Sequence, residues 1–126
     1  MKKGLVLEGG GMRGLFTAGV LDVMMERNIK VDGIVGVSAG ACFGCNYVSK
    51  QPGRILRYNI NMKDEPRYMG LRPLLRTGNL MDPEFAYHTL PEQIDIFDQD
   101  TYNKSSVEYH VVCTDVITGE PVYKKL

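Results

Sequence analysis

Two glycine turns, each following a short apolar run and opening a stretch of helical spacing, constrain this 126-residue chain more than any other feature. Residues 3–8 (KGLVLE) form the first run and read as a buried strand. The run stops at Gly9-x-Gly11-x-x-Gly14, a turn that backbone rather than side chains must shape. Residues 15–28 then put Leu15, Ala18, Gly19, Leu21, Val23, Met24 and Met25 on a broad apolar face, with Asp22, Glu26 and Arg27 outside it. A second strand, 30–37, centres on Ile34-Val35 and ends at Gly36-x-Ser38-x-Gly40. A second helix follows over 41–49, up to the breaker Gln51-Pro52-Gly53. Strand, turn and helix in succession, twice over, predict a parallel sheet in an α/β fold.

The middle is less regular. Residues 54–62 have helical spacing, and 66–81 read as irregular, rich in Gly, Pro and Arg. Asp82-Pro83 is an N-cap acid followed by a first-turn proline, so a short helix is expected to about Leu90. Residues 91–106 are mostly polar, 107–116 alternate as a strand, and Thr118-Gly119-Glu120 turns the chain into a last strand from Pro121. That hairpin adds an antiparallel element. There is no internal repeat and no low-complexity segment.

Charge excludes one class of partner. Fifteen basic residues balance fifteen acidic ones, which leaves no electrostatic footprint for nucleic acid. No apolar stretch approaches the roughly 20 residues of a spanning helix, and Glu8 and the glycines interrupt any signal-peptide core. Three cysteines do not suit a disulfide framework, so the expected compartment is the reducing cytosol.

Both turns suit chemistry. A glycine turn at a helix N-terminus offers free amide N–H groups to negative charge, either a pyrophosphate or the oxyanion of an acyl transfer. A nucleotide-binding α/β domain is therefore one reading of Gly9 to Gly14. It needs an acid about 20 residues on, at the end of the second strand. Asp32 stands instead at that strand's start. The second turn has the pattern of a nucleophile elbow, with Gly36 and Gly40 giving Ser38 room for a strained backbone. A serine that merely caps the helix is the plainer alternative. Together, at the carboxyl ends of neighbouring strands, the turns supply a nucleophile and backbone donors, the first needs of an acyl-transfer site.

E-G-G-G-M-R-G at 8–14 and G-V-S-A-G-A at 36–41 resemble the patatin-like phospholipases of bacterial type. V-V-C-T-D-V-I-T-G-E-P-V at 111–122 resembles the same family's strand-turn-strand. The resemblance is weakest across about 55–105. It implies a three-layer α/β fold with a mainly parallel central sheet flanked by helices. It also implies a serine acyl hydrolase acting on carboxylic esters of lipids, of phospholipase A or lipid acyl hydrolase type, with no metal or organic cofactor. Ser38 matches the nucleophile, and Gly9, Gly10, Gly11, Met12, Arg13 and Gly14, with Ala39, match the oxyanion hole. The family's base is an aspartate in a D-G-[GA] motif. The only Asp-Gly here is Asp32-Gly33, followed by Ile34, at the far end of the strand that leads to Ser38.

The 126 residues are accordingly expected to be the N-terminal part of one patatin-like domain, inactive alone, with an open sheet edge that invites self-association. A catalytically incomplete lipid-binding fragment is the third reading. Other candidates carry less. His88 and His110 lack a motif around them, and Asp115 matches a structural acid of the family. Cys42-x-x-Cys45 falls inside the second helix and is expected to pack as small buried hydrophobes; His110 and Cys113 would point to opposite faces of a strand. Arg67, Arg72 and Arg76, interleaved with Tyr68, Met69, Leu71, Leu74 and Leu75, suggest peripheral contact with an anionic lipid surface.

Overall fold

A computed structural model describes residues 1–126, which form two compact units, 1–55 with 99–126 and 56–98. The first unit is built on a four-stranded sheet in the order β1 (Gly4–Leu7), β2 (Gly33–Val37), β3 (Glu108–Thr114) and β4 (Pro121–Lys125). β1, β2 and β3 are parallel, with Leu5 opposite Ile34 and Ile34 opposite Tyr109. β4 returns antiparallel, with Val112 opposite Tyr123. α1 (Leu15–Glu26) and α2 (Ala39–Val48) follow the two glycine turns. The fold is α/β with a mainly parallel sheet and flanking helices, as the alternation of apolar runs predicts.

Leu7, Ala18, Leu21, Ile34, Phe43, Tyr47, Val48, Ile55 and Tyr109 are the buried core of this unit. α2 lies close against the sheet. A Cβ at Gly44 would stand 2.8 Å from the Tyr109 hydroxyl and 2.9 Å from Leu7 Cδ1. The Tyr109 hydroxyl donates to the Ala41 carbonyl in the first turn of α2. Further along, buried Asn46 donates to the Cys42 carbonyl (3.1 Å) and accepts from Arg54 Nη1 (2.8 Å). β1 is one of the two edge strands, with β4 at the other edge, and Val6 on β1 is 77% exposed.

The second unit departs from the sequence reading. α3 (Arg54–Asn61) forms where the spacing predicts. The stretch expected to be irregular contains α4 (Leu71–Thr77). Its glycines are boundary residues: Gly70 precedes it, and Gly78 ends it in the left-handed conformation at φ 77°. Pro73 falls in the first turn, where a missing N–H costs nothing. Asp82 caps the next helical segment as expected, its Oδ1 accepting from the Glu84 (3.1 Å) and Phe85 (3.4 Å) amides while Arg76 binds Oδ2. That segment does not stop at Leu90. It winds as a wide π-helix, Phe85–Ile94, past Pro91, and Asp95 N–H closes it on the Leu90 carbonyl five residues back. Arg57 makes two 2.8 Å bonds to Asp95. In the first unit again, α5 (Gln99–Asn103) occupies part of the polar stretch, tied by Gln99 Nε2 to Asn103 Oδ1 at 2.7 Å.

Candidate active site

Ser38 is the single residue between β2 and α2. Its backbone sits at φ 51° and ψ −121°, a conformation that is costly for any residue with a Cβ. Its hydroxyl makes no capping bond to the amides of α2. The N-cap alternative therefore does not describe what this side chain does. The backbone of Ser38 still starts the helix, since Cys42 N–H donates to its carbonyl at 3.0 Å. The amides of Ala39 and its neighbours fall in the first helical turn, where N–H groups have no intrahelical acceptor.

Close approach explains the glycines on either side. A Cβ at Gly40 would lie 2.3 Å from the Leu7 carbonyl oxygen and 2.7 Å from that of Glu8. At Gly36 it would lie 2.7 Å from Ala41 Cα. The start of α2 is thus pressed onto the end of β1, and only hydrogen fits at the contact. This brings the two turns together. A Cβ at Gly9 would stand 3.1 Å from Ser38 Cβ and 3.7 Å from Ser38 Oγ. Gly14 is buried against Phe43 and Ala39 at the other end of the loop.

Residues 11–14 make a tight 3-10 turn. Arg13 N–H donates to the Gly10 carbonyl at 3.1 Å, so the turn itself uses that amide. The amides of Gly10, Gly11 and Met12 come earlier in the turn, where donors have no partner within the helix. Arg13 and Met12 are exposed. The loop and Ser38 both sit at the carboxyl ends of parallel strands, the edge where open α/β sheets bind ligands.

The remaining candidates lie elsewhere or are occupied. Asp32 is at the amino ends of the strands, where Oδ2 accepts from Lys3 N–H at 2.6 Å and its carbonyl accepts from Glu108 N–H at 2.9 Å. Asp115 shapes the β3–β4 hairpin, accepting from the Thr118 (2.8 Å) and Ile117 (2.9 Å) amides, which hold its carboxyl below the usual range. His88 is an exposed partner of Glu92 at 3.0 Å, and that hydrogen bond raises its pKa. His110 lies within β3, opposite Val35 and Lys125.

The cysteines correct one expectation. Cys42 and Cys113 are exposed and Cys45 is half-buried, because Phe43, Gly44, Tyr47 and Val48 make the inner face of α2. Burial, with Cys42 nearby, pushes the Cys45 thiol up to about 12. It stays protonated and donates to the Cys42 carbonyl. The residues that sequence reasoning missed are supports: Tyr109, Asn46 and Arg54, which fix α2. A lone asparagine in an apolar helix is the signal that could have found Asn46 and its partner Arg54.

Comparison with known proteins places the chain in a family. The family model described as patatin-like phospholipase matches residues 5–117. The chain is 34% identical over 91 residues to the uncharacterized protein YjjU of Escherichia coli (strain K12), covering 71% of this chain and 26% of that protein. It is 28% identical over 124 residues to the patatin-like phospholipase domain-containing protein ZK370.4 of Caenorhabditis elegans, covering 93% of this chain and 9% of that one. The chain thus spans about a quarter or less of the length of these relatives. It belongs to the patatin-like phospholipase family.

Proposed function

We propose that this chain carries the nucleophile and oxyanion half of a serine acyl hydrolase acting on carboxylic esters of lipids. The observation that carries the reading is Ser38: a strained backbone, a hydroxyl that caps nothing, and a glycine loop within van der Waals reach. In the proposed reaction Ser38 Oγ attacks the ester carbonyl while its proton passes to a base. The carbonyl oxygen becomes an oxyanion that accepts from the amides of Gly10, Gly11, Met12 and Ala39. Each such donor is worth on the order of 100- to 1000-fold in rate. Arg13 adds positive potential to the loop. The intermediate collapses, the alcohol leaves with the proton from the base, and an acyl-serine remains. Water, deprotonated by the same base, then releases the fatty acid and restores Ser38.

The family's base is an aspartate, and no D-G-[GA] motif occurs in these 126 residues. Asp32 and Asp115 are engaged in strand-end and hairpin bonds, which speaks against either of them as the base. The location in keeping with this reading is cytoplasmic, at the periphery of a membrane; no helix here is long and apolar enough to cross one. The first test is hydrolysis of a short-chain nitrophenyl ester by the full-length protein. Ser38→Ala is expected to abolish turnover with an unchanged melting temperature. Turnover at the parent rate would remove Ser38 from the mechanism.

A further inference from the structure

α4 is built inside out. Its one buried residue is Pro73, while Leu71 is 75% exposed, Leu75 87% and Leu74 40%. At 100° per residue Leu71, Leu74 and Leu75 share one face, nearly opposite Pro73. A helix that packs by its apolar stripe turns leucines inward, and this one turns them to solvent. Two further apolar side chains extend the patch. Gly70 N–H donates to the Leu80 carbonyl at 2.9 Å and Met69 pairs with Met81, so the flanking segments close on each other. Met69 (46%) and Leu80 (57%) are exposed there as well.

Basic side chains flank this patch. Residues 66–81 hold Arg67, Arg72 and Arg76 and no carboxylate; Glu65, just before them, pairs with Arg67 at 2.8 Å, and Arg72 makes no ion pair. Arg72 and Arg76 are one turn apart on the flank of the leucine face. Arg76 holds buried Asp82, yet its side chain remains 64% exposed. Apolar side chains presented outward from a folded helix, with cations along their border, match the headgroup–acyl boundary of an anionic bilayer. The leucines enter the acyl region and the guanidinium groups meet phosphates.

We infer that α4 is a docking element for an anionic phospholipid surface. It rests on the surface of this helix and does not depend on Ser38 being the nucleophile. The test is co-sedimentation of the full-length protein with phosphatidylcholine vesicles, with and without phosphatidylserine. Binding is expected only with the anionic lipid, and it should weaken between about 0.1 M and 1 M salt as the screening length falls from ~10 to ~3 Å. The double variant Leu71→Ser/Leu75→Ser should lose about tenfold or more in partition, because two side chains no longer enter the acyl region. Arg72→Glu should lose about tenfold on anionic vesicles. Leu71, Leu75 and Arg72 are all exposed, so unchanged melting curves are expected. Ser38→Ala must bind like the parent, which separates this inference from the catalytic reading. Equal binding by the leucine variant would overturn it. So would no binding by the parent, or a dimer in sedimentation velocity that the leucine changes dissolve, since a second copy would then own the face.

Discussion

At Ser38 the chain holds a non-glycine residue at φ 51°, and the neighbouring contacts show what keeps it there. The carbonyl of Leu7 occupies the place where a Gly40 Cβ would be, so the start of α2 cannot relax away from β1 without losing the contact. Gly40→Ala is therefore expected to cost about 3 kcal/mol or more, an overpacking change with only backbone to yield. A thermal melt followed by circular dichroism measures it. Gly9→Ala differs in kind. Its Cβ would be 3.1 Å from Ser38 Cβ, a contact that small shifts accommodate, but it crowds the hydroxyl and the space that the proposed reaction assigns to the ester carbonyl. The expected result is a near-parent melting temperature with kcat/KM for a nitrophenyl ester lower by about 100-fold, equivalent to moving one oxyanion donor. A Gly9→Ala enzyme with parent kcat/KM would place the ester elsewhere.

At the scale of elements, α2 is positioned by polar bonds that hydrophobic patterning does not reveal. Tyr109→Phe removes the bond to the Ala41 carbonyl and is expected to lower stability by about 1 kcal/mol. Asn46→Leu leaves Arg54 buried without this acceptor and should cost more, about 2–3 kcal/mol, in the same denaturation measurement. The thiols offer a kinetic check. With its pKa pushed to about 12, Cys45 should resist iodoacetamide at pH 8 long after exposed Cys113 is alkylated, as peptide mass spectrometry would show. β1, α1, β2 and α2 were legible because apolar runs and helical spacing change sharply at glycine turns. α4 was not, since its leucines face outward and Gly70, Pro73 and Gly78 imitate loop composition while serving as helix boundaries. α5 was hidden for a different reason: Gln99–Asn103 buries nothing, so no apolar period exists to read.

For the whole molecule, the parallel order β1-β2-β3 places both glycine turns at one edge of the sheet, while Asp32 falls at the other. Proximity of Gly9 to Ser38 follows from that topology, and the spacing of the two motifs after adjacent strands made it foreseeable. The division at 56–98 was not foreseeable, because no linker composition marks it. In the proposed function Ser38 is an activated nucleophile beside an oxyanion loop. Its most direct test is a fluorophosphonate probe added to the full-length protein, with the modified residue located by peptide mass spectrometry. The expected result is stoichiometric phosphonylation of Ser38, lost in Ser38→Ala and slowed in Gly9→Ala. A full-length protein that hydrolyses esters while its Ser38 peptide stays unmodified would contradict the assignment.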